Sequence, residues 1–498
     1  MKRDSSRVDG GPAGCDGWRI PAVHRACVRA TLGLLLTALL VALSAAPAAA
    51  LSFAPPRHFA AGQGPCALAV ADLNGDEKPD LVVADGKTST VRTFIGTGRG
   101  GFAAAGPYAT GATPTSLAVG DLDGDGFLDV VTGNGTDGTV SLLFGIGSGG
   151  FSARADIVVG PPRLFPGLYH TGVSLCDFDR DGISDIVVCG QPVEGPPFSE
   201  AVVLMGTGSR GFAPPSRVQT PEDSRDTACG DFNGDDLPDF VATVVDPDQV
   251  GAGVLLGDGA GHFSPMTVSG TYLEPYTVAC ADMTADHRPD LVIAETLEGT
   301  SVVEVLLGDG AGGFALAPGG RAKLADDKGL PRGVAVADVN GDGRLDVATG
   351  LGRQAFVLRG DGQGGLRPTT STYPVGARPY DVVAADFNLD GLMDLATADY
   401  ADGSVSLLLQ GPAAAPVLCA MTPRSGHLGT VVTLTGAHFG AVRGAGRVMF
   451  GAKAATSYVS WTSTKIKVRV PTGTAQGLVK VAVKTVAGRS QTIAFRRL

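Results

Sequence analysis

The chain is poor in the residues from which most catalytic and stacking sites are built. It has two tryptophans, Trp18 and Trp461, and aromatic residues make up 6% of it, so no broad platform for sugars or bases is visible. No G-x-S-x-G, H-E-x-x-H, Walker loop or C-x-x-C occurs, which removes the signatures of serine hydrolases, zinc proteases, P-loop enzymes and dithiol oxidoreductases. His58, His170, His262, His287, His427 and His438 show no metal-ligand spacing. Charged residues are only 18% of the chain, and the balance of 39 Lys and Arg to 50 Asp and Glu leaves no basic face for nucleic acid.

Long hydrophobic runs are also scarce. One exists, ATLGLLLTALLVALSAAPAAA at residues 30–50, behind a basic leader and ending in small residues. It reads as a signal peptide over residues 1–50 cut near Ala50, or as a signal anchor if uncut. No other stretch is long enough to span a bilayer, so the expected location is secreted or cell-surface. Loss of the leader takes the net charge from −11 to −14.

What the chain does have is repetition. Seven nine-residue acidic loops recur at intervals of about 50 residues: DLNGDEKPD from Asp72, DLDGDGFLD from Asp121, DFDRDGISD from Asp177, DFNGDDLPD from Asp231, DMTADHRPD from Asp282, DVNGDGRLD from Asp338 and DFNLDGLMD from Asp386. Each loop lies between short apolar runs rich in Val, Leu and Ala, a strand pattern rather than a helical one. A third run follows, then a glycine turn and a segment opening on Phe102, Phe151, Phe212, Phe263 or Phe314. The unit is four antiparallel strands. Seven such units predict an all-β fold, a seven-bladed β-propeller over residues 51–411. The last repeat supplies only three strands, while LSFAPPRHFAA at residues 51–61 matches the fourth segment of the others. The N-terminal strand is therefore expected to close the last blade.

The loop chemistry follows from its oxygen atoms. Positions 1, 3, 5 and 9 present carboxylates or amides on a tight turn, a hard-oxygen cage of the kind calcium prefers. The expected ligands are Asp72, Asn74, Asp76 and Asp80; Asp121, Asp123, Asp125 and Asp129; Asp177, Asp179, Asp181 and Asp185; Asp231, Asn233, Asp235 and Asp239; Asp338, Asn340, Asp342 and Asp346; Asp386, Asn388, Asp390 and Asp394. The fifth loop has Thr284 at position 3, His287 at position 6 and Arg288 beside it, so Asp282, Asp286 and Asp290 form the weak or vacant copy. Position 12 is Val83 in the first copy and Thr132 in the second, which excludes an EF-hand. Turns such as GTGRGG from Gly96 match the dinucleotide-fingerprint spacing, but a strand, not a helix, follows each one, so no nucleotide is expected.

These D-x-[DN]-x-D-G-x-x-D loops and G-x-G-x-x-G-F turns resemble the FG-GAP or VCBS repeats of secreted propellers and the calcium loops of integrin α-subunits. After GPAAAPVL the acidic loops stop. TPRSGHLGTVVTLTGAHFG, VMFGAKAAT and VRVPTGTAQGLVKVAVKTVAG resemble an IPT/TIG immunoglobulin-like domain, expected as a small β-sandwich over 417–498 behind a linker at 412–416. The resemblance implies a noncatalytic, calcium-binding recognition or adhesion module whose partner is an extracellular protein or glycan. The alternative is a carbohydrate-active protein, a lectin or a polysaccharide lyase-like protein, binding an acidic glycan.

Two further features remain open on sequence. Cys229 and Cys280 stand two residues before their loops in adjacent repeats, which fits either a bridge or small apolar packing. Six residues before each loop stand Cys66, Thr115, Thr171, Arg225, Tyr276, Arg332 and Tyr380. Equivalent positions on successive blades form a ring, so Arg225, Tyr276, Arg332 and Tyr380 make one arc of it at the channel mouth. The arc either grips an acidic ligand or packs Arg on Tyr between blades. The insertion GPPRLFPGLYH, with Tyr169 and His170, is expected near that mouth.

Overall fold

The computed structural model describes residues 51–160, 171–190, 199–220, 224–245, 250–270, 274–297, 300–324, 329–411, 417–437, 439, 447–462, 464–485 and 488–498. The leader, the insertion bearing Tyr169 and His170, the linker and His438 lie outside them.

Apolar runs separated by Asp- and Gly-rich turns become short antiparallel strands, because β-branched residues fill a pleated surface and the turns supply left-handed backbone. Between Arg57 and Leu408 the described residues form seven four-stranded antiparallel sheets, arranged as propeller blades. The first comprises Pro65–Ala71, Asp80–Asp85, Thr90–Gly96 and Phe102–Ala109. The next five repeat this plan, their first strands being Pro114–Gly120, Thr171–Cys176, Ser224–Gly230, Glu274–Ala281 and Val334–Ala337. The seventh takes Pro379–Ala385, Asp394–Asp399 and Ser404–Leu408 from its own repeat, and Arg57–Ala60 from the chain's other end. Arg57 lies opposite Leu407 and Ala60 opposite Ser404. Each first strand touches those of the sheets before and after it, and the strand Pro65–Ala71 touches Pro379–Ala385.

Second strands such as Asp80–Asp85 and Asp129–Asn134 are buried throughout, as they must be between two faces of apolar neighbours. The seams between sheets are filled by the turn phenylalanines. Phe102 meets Phe387 of the seventh loop edge-on at 5.6 Å, Phe263 meets Phe178 of the third at 5.0 Å, and Phe314 meets Phe232 of the fourth at 5.4 Å. The turn glycine beside each aromatic lets backbone come close. Gly100 N–H donates to Phe387 O at 3.0 Å and Gly312 N–H to Phe232 O at 2.9 Å. The repeated G-F pair is thus the joint between one sheet and the loop of the sheet before it.

Residues 417–498 form two packed sheets, one of Val417–Thr422, Val431–Ala437, Lys465–Arg469 and Tyr458–Trp461, the other centred on Gly477–Thr485. Leu434, Ile466, Val481 and Phe495 are in the core between them. Trp461, with its indole N–H on Phe439 O at 2.8 Å, is a packing residue of this sandwich.

Candidate metal centre

Each acidic loop links the first and second strands of its sheet, so all seven sit at one end of the first strands. Position 1 organises the turn. Asp72 Oδ1 accepts N–H bonds from Gly75 and Asp76, and Oδ2 accepts one from Glu77. The same N–H of position 6 reaches position 1 in the other six loops, from Gly126, Gly182, Asp236, His287, Gly343 and Gly391. Position 6 is left-handed in every loop, at φ 62° for Glu77, 67° for Asp236 and 68° for His287 as for the glycines. The fifth loop therefore keeps the fold of its neighbours despite its altered ligands.

Position 9 ties the loop to the sheet. Asp129 Oδ2 accepts from Leu122 N–H at 2.8 Å and Oδ1 from Gly145 N–H at 2.7 Å. Asp80, Asp185, Asp239, Asp290 and Asp394 make the equivalent pair, whereas Asp346 accepts from Gly360 N–H and, in place of position 2, from the backbone N–H and the Nδ2–H of Asn340. Burial pushes the Asp129, Asp185 and Asp394 carboxyls up to about 7, and those of Asp80, Asp239 and Asp346 to about 6, against their backbone hydrogen bonds. A cation facing these oxygens would favour the charged form.

Two loops bring three carboxylates into mutual range. One oxygen each of Asp121, Asp123 and Asp129 lie within 4.8 Å of one another, and so do oxygens of Asp177, Asp179 and Asp185. Among the described residues no other His, Cys, Asp or Glu group does so. The fit to a hard cation is also tested by oxygen atoms left over. Asp177 Oδ1, Asn340 Oδ1 and Asn388 Oδ1 are buried and accept no hydrogen bond, and an all-oxygen donor set of this kind suits a divalent ion. Thr284 Oγ1 occupies the same place in the fifth loop. Cations of the protein itself enter three loops: Lys78 pairs with Asp76 at 2.7 Å, Arg344 with Asp342 at 2.9 Å, and Arg210, from the third sheet, with Asp123 at 2.7 Å.

At the other end of the first strands the expected arc is brought together and enlarged. Arg225 lies over Tyr276 at 4.5 Å, and Arg332 over Tyr380 at 4.4 Å and Tyr276 at 5.7 Å. Tyr380 stacks on Tyr400, which Arg378 and Lys87 also face. Sequence reasoning missed Arg378, Tyr400 and Lys87 because they lie on connections, outside the aligned positions. The register explains the ring. The ladder shifts between Pro65 and Ala67, Pro114 and Ser116, Ser224 and Thr227, Pro275 and Thr277, and Pro379 and Asp381. Ring residues such as Cys66, Thr115, Tyr276 and Tyr380 thus sit at β-bulges, which re-aim a side chain.

One position further along, two acids were also missed. Asp226 accepts from Thr277 Oγ1–H and Val278 N–H, and Asp381 accepts from Leu68 N–H, each across a seam. All six described cysteines are free. Cys229 packs near Cys176, the last residue of the third sheet's first strand, while Cys280 lies beside Gly230.

Comparison with known proteins agrees with the repeat reading. The FG-GAP-like repeat family matches residues 72–132, 121–188, 231–293 and 282–349, and the IPT/TIG domain family matches residues 416–496. The chain thus contains FG-GAP-like repeats and a C-terminal IPT/TIG domain. No curated protein sequence matches it. Among solved structures it is similar to an Agrocybe aegerita lectin described as recognising non-reducing terminal N-acetylglucosamine, at 17% identity over 70% of this chain and 86% of that one, TM-score 0.45. It is also similar to a fungal alcohol oxidase in complex with copper, at 14% identity over 90% of this chain and 100% of that one, TM-score 0.42. Neither likeness bears on what this chain binds or does.

Proposed function

We propose that the chain is a secreted or cell-surface, noncatalytic recognition module in which seven blades form one closed ring held by calcium. The observation that carries this reading is the repeated acidic loop, whose backbone is pre-folded by positions 1 and 9 while oxygens of positions 1, 3 and 9 converge in loops two and three. Calcium fits because it accepts six to eight oxygens in flexible geometry, whereas magnesium demands a near-ideal octahedron. The apolar run at residues 30–50 supports export, and millimolar calcium outside cells suits sites of extracellular affinity. The partner is an extracellular protein or glycan.

A second reading has its own support. The ladder of Lys87, Arg225, Arg332 and Arg378 on Tyr276, Tyr380 and Tyr400 gathers cations at one mouth, which favours an acidic glycan bound by a lectin-like or lyase-like protein. Calorimetric titration of the chelated protein with calcium tests the first reading, and an array of anionic polysaccharides with a reducing-end assay tests the second. Calcium uptake without new reducing ends supports the module. Cleavage overturns the noncatalytic assignment.

A further inference from the structure

Arg210 occupies a position that is glycine in the five other turns of this kind. Its counterparts in the other turns, Gly100, Gly149, Gly261, Gly312 and Gly364, all have φ between 65° and 85°, and Arg210 adopts 69° in their place. A side chain there leans on the preceding sheet: a Cβ on Gly149 would meet Ile95, one on Gly261 Met205, and one on Gly312 Leu256. Arg210 follows that direction onto the second sheet, where its guanidinium covers Phe144 at 4.5 Å. It then enters the second acidic loop. Its Nε donates to Asp123 Oδ2 at 2.7 Å, and Nη2 lies 4.0 Å from Asp125 Oδ2. The Asp123 side chain is only 5% exposed.

Asp123 belongs to the carboxylate triad with Asp121 and Asp129. The third loop has the same triad, with Ile183 at position 7, and no cation from a neighbouring sheet is seen on Asp179 among the described residues. The third loop carries a charge of its own sequence, Arg180 at position 4 where the second has Gly124, whereas the charge on the second loop comes from another repeat and bonds a triad oxygen directly.

We propose that Arg210 is a tethered cation of the second loop, holding the place of a metal ion there and making that loop a weaker calcium site than it would be without this side chain. The proposal rests on the reading of the loops as calcium sites. Calcium must displace Arg210 from Asp123 before it can use that oxygen. In the absence of metal, Arg210 offsets the mutual repulsion of Asp121, Asp123 and Asp125.

The test compares the full mature chain, stripped by chelator, as wild type, Arg210→Gln and Arg210→Gly, by calorimetric titration with calcium chloride. Removing the charge should tighten one site about tenfold in both variants and leave the number of sites unchanged. Adding Asp123→Asn to Arg210→Gln should abolish the tightened site, which assigns it to the second loop. In EGTA, Arg210→Gln should melt below the wild type. An unchanged isotherm overturns the proposal, as does tightening in Arg210→Gly alone, which would assign the effect to turn conformation rather than charge. No calcium uptake by any of the three proteins overturns the calcium reading itself, and this proposal with it.

Discussion

Asp381 Oδ2 accepts a 2.8 Å hydrogen bond from the N–H of Leu68, joining the first strand of the seventh sheet to that of the first across 313 residues. Its other oxygen accepts from Val382 N–H at 2.8 Å. Asp226 spans the seam between the fourth and fifth sheets in the same way. Removing Asp381 as Asp381→Ala orphans two buried donors. Urea unfolding should show a loss of about 1–3 kcal/mol, and a loss near zero would mean that water replaces the carboxylate.

Burial raises Asp226 to about 6 and Asp381 to about 7. The folded chain therefore holds these protons more tightly than the unfolded chain does. The resulting stability is full below the ordinary carboxyl value near 3.9 and is lost as pH rises through about 6 to 7. In EGTA, the wild type should lose stability between about pH 5 and 8, and Asp226→Asn with Asp381→Asn should lessen that slope. An unaltered slope would place its origin elsewhere.

Positions 3 and 9 of one loop should fail differently. Asp185 holds Phe178 N–H and Gly206 N–H at 2.7 Å each, so Asp185→Ala should destabilise the protein with or without calcium. Asp179 accepts only a 3.2 Å bond from Asp181 N–H. Asp179→Ala should lower the melting temperature in calcium and leave it nearly unchanged in EGTA. Equal losses in EGTA would make both residues structural.

Calcium itself should matter to the whole fold. At an affinity of about 10⁻⁴ M and about 1 mM free ion, each site adds roughly 1.4 kcal/mol, and six add roughly 8. That is comparable to the net stability of a domain. EGTA at constant ionic strength should lower the melting temperature steeply, and no change would remove calcium from the account.

The cation–tyrosine ladder separates binding from packing. If it holds an acidic ligand, Arg332→Ala and Arg225→Ala should each weaken an acidic polysaccharide about tenfold, on the order of 1.4 kcal/mol, without altering the calcium response. Retained binding with a lowered melting temperature would make these side chains packing elements.

The sequence made the repeat legible because the motif is local: loop, strand pair, glycine turn and Phe recur in order, so the sheets and the places of Asp129 and Phe102 in them follow from spacing alone. The pairing of residues 57–60 with 404–407 was legible for the same reason, since one segment was missing at one end and surplus at the other. What stayed hidden depends on partners in other repeats. Arg210 reads as a variant turn residue until its sheet is set beside Asp123. Tyr400 and Arg378 enter the ladder only because connections bring them over Tyr380. Asp226 and Asp381 look like stray charges in apolar strands, and only the neighbouring sheet reveals the N–H groups they serve.

The strand Arg57–Ala60 has a kinetic consequence. His58 bonds Ser406 across 348 residues, so a strand that precedes all seven acidic loops pairs with one that follows them. Loop-closure entropy grows only logarithmically with length, so this separation costs little at equilibrium. It weighs on the rate instead, because non-local pairings slow folding. Until residues 404–408 are available, Arg57–Ala60 has no strand to pair with, so early folding must run through single sheets and their neighbours before the two ends meet.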